Sequence, residues 1–135
     1  MPIALEIVSP DRLLLSQPVD MVVMPAAEGE MGVLPGHAPM IVLLQGGTIT
    51  LHEGGRATSR LYVSGGFAEV TPERCTVLAD EAVPTTELSR AQAQARLQEA
   101  EAAYAAADRM DVTALDAAMA RTQAARAMVA AAEAP

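Results

Sequence analysis

Hydrophobic positions obey one rule up to Pro84 and another after it. In the first part they alternate: Ile3, Leu5 and Ile7 are separated by Ala4, Glu6 and Val8, the period-two signature of a half-buried strand. Pro10-Asp11 marks a turn, and short apolar runs follow at Arg12–Ser16, Val19–Met24, Met40–Gln45, Thr48–Leu51, Arg60–Ser64, Phe67–Val70 and Thr76–Asp80. Gln45-Gly46-Gly47, Glu53-Gly54-Gly55, Gly65-Gly66 and Thr71-Pro72-Glu73 punctuate them. Strands this short, at roughly ten-residue spacing, predict an antiparallel β-sandwich of about eight to ten strands. Glu53-Gly54-Gly55-Arg56 predicts a tight hairpin.

From Thr85 to Ala134 glycine and proline are absent and alanine dominates. This part reads as helix, loop, helix. Thr86 is the expected N-cap of a helix reaching about Ala107, with Glu87 in its first turn, where the helix dipole favours an anion. Asp108-Arg109-Met110-Asp111 breaks it, and Asp111 is placed to cap a second helix ending near Ala132. Ala93, Leu97, Ala100, Tyr104 and Ala107 share one face by spacing; so do Val112, Leu115, Met119, Thr122, Arg126 and Val129 on the second helix. The short loop makes the two antiparallel neighbours. The predicted organisation is a β-sandwich domain over 1–84 and an antiparallel two-helix hairpin domain over 85–135. Full burial of a Leu-sized side chain contributes roughly 1.5–3 kcal/mol, and the hairpin has few, so its docking is expected to be weak.

Glu28-Gly-Glu-Met-Gly-Val-Leu-Pro-Gly-His-Ala-Pro39 interrupts the strands. Its glycines permit positive φ, and its prolines fix φ and remove donors. It is predicted to be a shaped loop, neither helix interior nor central strand, of the kind that carries binding functions. His37 has only His52 as a histidine companion, without zinc-ligand spacing, so no metal site is expected. Glu28 and Glu30 are a carboxylate pair, but nothing nearby completes an acid–base site. No nucleophile elbow and no P-loop is present. Glu87 and Arg90 are spaced for an exposed i, i+3 ion pair.

The formal net charge is -8, and every cation is an arginine. No basic stripe is available to neutralise phosphates, which argues against nucleic acid and anionic lipid as partners. The single cysteine, Cys75, sits in an alternating apolar run and reads as a buried thiol, in keeping with a reducing compartment. No secretory signal or membrane-length apolar run is visible, so no direct membrane insertion is expected.

Glu28 to Pro39, Val63-Ser-Gly-Gly-Phe-Ala-Glu-Val70, Thr76-Val-Leu-Ala-Asp80 and the alanine-rich helix pair together resemble the epsilon subunit family of bacterial F-type ATP synthase, the counterpart of the mitochondrial delta subunit. The resemblance implies a β-sandwich with a helical hairpin, and a non-catalytic rotor part. That part binds the gamma subunit and the c-ring, with the alpha/beta head within reach of the hairpin, on the cytoplasmic face of the bacterial inner membrane. It implies partner contacts at Glu28, Glu30, Pro35, Gly36 and His37. Relatives that bind ATP do so through Asp, two variable residues and Arg-Ala. Here the stretch is Glu87-Leu-Ser-Arg90-Ala91, with Glu in place of Asp. We expect no cofactor. A nucleotide-sensing subunit whose hairpin inhibits ATP hydrolysis is the alternative function, and a small independent enzyme is the third.

Overall fold

The computed structural model describes residues 2–133. Ten strands precede the helices: β1 (Ile3–Val8), β2 (Leu13–Val19), β3 (Met21–Ala26), β4 (Gly29–Val33), β5 (Met40–Leu44), β6 (Gly47–Glu53), β7 (Arg56–Val63), β8 (Gly66–Val70), β9 (Arg74–Ala79) and β10 (Ala82–Pro84). A 3-10 turn at Thr85–Glu87 leads to α1 (Arg90–Ala106) and α2 (Val112–Glu133). Strands are ordered β10-β7-β6-β3-β5-β8-β9-β1-β2, with β4 beside β3. β3 and β5 share a single bridge, Ala26 to Leu44. The path therefore divides into two five-stranded layers, β4-β3-β6-β7-β10 and β5-β8-β9-β1-β2.

The alternation in the sequence becomes the core between these layers. Ile3, Leu5 and Ile7 of β1 point inward with Val22, Met24, Ile49, Leu51, Val70, Cys75 and Val77, all essentially without solvent contact. The Gly54-Gly55 turn has φ of 61° and 79°, the two positive values that a two-residue hairpin of right-handed twist demands.

Three expectations need correction. β1 pairs with β9 in parallel, Leu5 opposite Cys75, in an otherwise antiparallel fold. Local turn signals report hairpins and carry no information on a pairing so distant along the chain. Second, Gly29–Val33 is a strand, β4, that hydrogen-bonds to β3. Glycines and an unpaired outer edge are compatible because β4 is peripheral, so the stretch is a hairpin arm followed by a loop. Third, α1 begins later than Thr86. The chain is still extended at Leu88, and the Ser89 hydroxyl accepts the Gln92 N–H at 3.2 Å as the N-cap. Asp111 does cap α2, accepting the Ala114 N–H at 3.0 Å.

The helices meet through small residues. Ala93 and Ala100 of α1 and Ala118, Thr122, Ala125, Met128 and Ala131 of α2 are buried. The Thr122 hydroxyl lies 2.9 Å from the Ala118 carbonyl and 3.3 Å from the Ala100 carbonyl, and shares its proton between the helices. Arg126, expected on this seam, is exposed and faces Glu101 at 3.8 Å. Val112 and Met119 are exposed as well. A helix turns 3.6 residues at a time, and the buried face passes through Ala125, one residue before the position the spacing suggested.

Candidate functional site

The Glu28–Pro39 stretch does not form one cluster. Glu28 lies in the β3–β4 turn and Glu30 opposite Pro25 at the start of β4; both are exposed. Pro35, Gly36 and His37 follow the far end of β4, which at five residues is roughly 17 Å long. There Pro35 and Gly36 occupy the centre of a turn. The His37 N–H donates to the Leu34 carbonyl at 3.2 Å, and Gly36 has φ of 86°, as the third residue of a type II turn requires. The Gly36 N–H donates to the Pro72 carbonyl at 2.8 Å, tying this turn to the β8–β9 connection in the other layer. His37 Nδ1 lies 2.8 Å from the Ala38 carbonyl, so that nitrogen carries the proton. No group of three or more metal-ligating side chains occurs among the described residues.

A second surface was not foreseen. Pairing aligns Leu43 with Phe67, Phe67 with Leu78, Leu78 with Val8, and Val8 with Leu13. These side chains make one apolar row across the outer face of all five strands of the second layer. Leu43 is 68% exposed and Leu13 54%, and Ile41 beside the row is 68% exposed. A signal for it did exist. Met40-Ile-Val-Leu-Leu44 is apolar without interruption, and a strand buried on one face only must point half of such a run outward.

The hairpin covers the outer face of the first layer. Tyr62 of β7 is fully buried against Ala93, Met128 and Ala131, and its hydroxyl donates to the Ala124 carbonyl at 2.8 Å. Burial, reinforced by the Glu81 charge, pushes its phenol up to about 12. The Gln123 side chain clips onto Gly46 twice: its oxygen accepts the Gly46 N–H at 2.9 Å and its amide donates to the Gly46 carbonyl at 2.7 Å. Arg96 grips Glu81 with two bonds of 2.9 Å.

The residues expected to contact ATP, Glu87, Arg90 and Ala91, are all exposed. Glu87 borders a cavity with Arg12, Leu13 and Leu14. Arg90 faces Glu133 at 3.8 Å rather than Glu87, so the i, i+3 pair is not formed. Ala91 is exposed at the start of α1.

A family profile described as the β-sandwich domain of the ATP synthase delta/epsilon chain matches residues 2–85. The chain belongs to this family. The ATP synthase epsilon chain of Granulibacter bethesdensis is 70% identical over 129 residues, covering 96% of each chain. That of Gluconacetobacter diazotrophicus is 50% identical over 135 residues, all of this chain and 96% of its own. A chain in the Euglena gracilis mitochondrial ATP synthase structure, containing OSCP, F1 and c-ring, aligns with a TM-score of 0.78 at 28% identity, over 96% of this chain and 81% of that one. A chain of the Tetrahymena thermophila central stalk and c-ring aligns with a TM-score of 0.64 at 11% identity, over 98% and 97%, which bears on fold alone.

Membership in the delta/epsilon family makes the chain a non-catalytic, central-stalk subunit of an ATP synthase. Nucleotide sensing, the alternative function, is not favoured, and the third reading, an independent enzyme, falls. No helix among the described residues is long and apolar enough to cross a membrane.

Proposed function

We propose that the chain couples rotation of the c-ring to ATP synthesis by binding two partners with two parts of its sandwich. The gamma subunit takes the apolar row Leu43–Phe67–Leu78–Val8–Leu13, and the Glu28/Glu30 turn meets the polar loops of the c-ring. The complex holds the chain at the cytoplasmic face of the bacterial inner membrane, as a peripheral part. The observation that carries this reading is the row itself: five aligned apolar side chains on the outer face of a layer that the hairpin leaves uncovered. Exposed contiguous apolar surface of this kind marks a protein interface. Two sheets packed over a buried apolar core supply the stiffness that torque transmission needs. Pro35, Gly36 and His37, anchored to the β8–β9 connection, flank the gamma face.

Reconstitution of the complex tests the assignment. Leu43→Glu with Phe67→Glu should abolish capture by gamma while the free chain keeps its circular dichroism. Glu30→Lys should leave gamma capture intact and weaken coupling of proton flow to ATP synthesis. Normal gamma capture by the double variant would end the first assignment; normal coupling with Glu30→Lys would end the second.

A further inference from the structure

The connection between β5 and β6 touches both the hairpin and the β3–β4 arm. On one side, a Cβ placed on Gly46 would lie 2.5 Å from Ala124 Cα and 2.9 Å from Ala124 Cβ. The helix backbone therefore rests on bare glycine, and the Gln123 amide saturates both polar groups of that residue. On the other side, a Cβ on Gly47 would lie 2.5 Å from Pro25 Cβ. Pro25 is the residue opposite Glu30 in the β3–β4 pair. Its carbonyl accepts the Gln45 N–H at 2.9 Å, and next to it the Ala27 N–H donates to the Leu43 carbonyl at 2.9 Å. Glu30 and Gly47 also border, with Ala127, Ala130 and Ala131 of α2, a cavity of about 380 Å³.

We propose that the Gln45–Gly47 turn is a joint through which the position of the helical hairpin sets the order of the β3–β4 arm carrying Glu28 and Glu30. When α2 is seated, Gly46 is clamped by two hydrogen bonds and a backbone contact, Gly47 is pressed against Pro25, and the arm is braced. When α2 leaves, Gly46 loses both protein partners. Gly46 then regains the conformational freedom that the helix contact had removed, and the pressure that its neighbour Gly47 puts on Pro25 relaxes with it. Coupling of this kind is reciprocal, so a partner that orders the Glu28/Glu30 arm also favours the seated hairpin. The inference concerns the free chain and stands whatever binds the arm, so its failure leaves the c-ring assignment untouched.

Backbone amide hydrogen exchange on the full chain tests it, using Gln123→Ala and Ala124→Leu. Both changes lie in α2 and leave the sandwich sequence intact. The first removes the clip; the second puts a large side chain where α2 rests on Gly46. The expected result is exchange at least about tenfold faster in residues 24–33, with Leu5, Ile7 and Val77 of the other layer unchanged, as selective local opening requires. Unchanged rates in 24–33 for both variants would overturn the proposal. So would a uniform rise across both layers, which signals general loss of stability rather than transmission.

Discussion

The Tyr62 hydroxyl donates to the Ala124 carbonyl across 2.8 Å, joining the end of β7 to the middle of α2. Inside a helix that carbonyl already serves its own turn, so the phenol uses its second lone pair. This bond and the burial of the ring make Tyr62 the centre of the contact between sandwich and hairpin.

Tyr62→Phe keeps the ring and removes the bond. Hairpin docking should weaken by about 0.5–1.5 kcal/mol, the net worth of one such hydrogen bond. Tyr62→Ala also removes the ring packed on Ala93, Met128 and Ala131, at a cost on the order of 3–5 kcal/mol. Denaturant unfolding followed by a label at Met110, in the exposed turn between the helices, reads both. Equal stability of Tyr62→Phe and wild type would deny the bond a role.

Alkaline pH should release the hairpin through the same group. The Tyr62 phenol is raised from 10.0 to about 12. Its contribution is complete below pH 10, where both folded and unfolded chains are protonated, and is lost as pH rises from 10 to 12. Ultraviolet absorbance of phenolate should show a late step that is missing from Tyr62→Phe.

Cys75 should be silent toward thiol reagents. It is fully buried between the layers, and burial alone pushes its thiol up to about 11. Iodoacetamide at pH 8 should label the unfolded chain within minutes and the native chain only at the rate of global unfolding, because the thiolate is the nucleophile. Rapid native labelling would contradict the packing of β9. The raised thiol also adds stability that is lost between pH 9 and 11.

Among the ion pairs of the described residues, Arg96–Glu81 should matter most. It is bidentate at 2.9 Å, whereas Arg90–Glu133 and Arg126–Glu101 are held at 3.8 Å in the open. Arg96→Ala should loosen the hairpin by about 0.5–1 kcal/mol at low salt, the upper range for partly exposed pairs, and 1 M salt should erase most of the difference. Arg126→Ala should change nothing measurable. Thermal melts at two ionic strengths separate the cases.

Millimolar ATP should not raise the melting temperature, for wild type or for Arg90→Ala. A bound ligand must stabilise the state it binds, and Glu87, Arg90 and Ala91 are all exposed, with Arg90 turned to Glu133. A clear upward shift that Arg90→Ala removes would restore nucleotide sensing.

The layered fold was legible because alternation and turn residues are local. Ile3-Ala-Leu-Glu-Ile7 states which face is inside, and Gly54-Gly55 states where the chain reverses. The helix pair was legible from composition, but its register was not. When nearly half of the residues of both helices are alanine, spacing marks no unique seam, and Arg126 was placed on it while Ala125 occupies it. The candidate site was half legible. Glu28, Glu30 and His37 stood out by type, yet β4 separates them, because edge-strand pairing depends on β3 rather than on the stretch itself. Gln123 offered no signal, since its role comes from a bare glycine distant in sequence.

The parallel pairing of β1 with β9 also fixes when the molecule can finish folding. The first strand made is among the last to find its second neighbour. During synthesis β1 can join β2 early, but Leu5 has no Cys75 beside it until nearly the whole sandwich has left the ribosome. High contact order of this sort slows closure and leaves an unpaired edge open to misassembly. The helical hairpin, made afterwards from local contacts alone, arrives on a sandwich whose seam has only just been sewn.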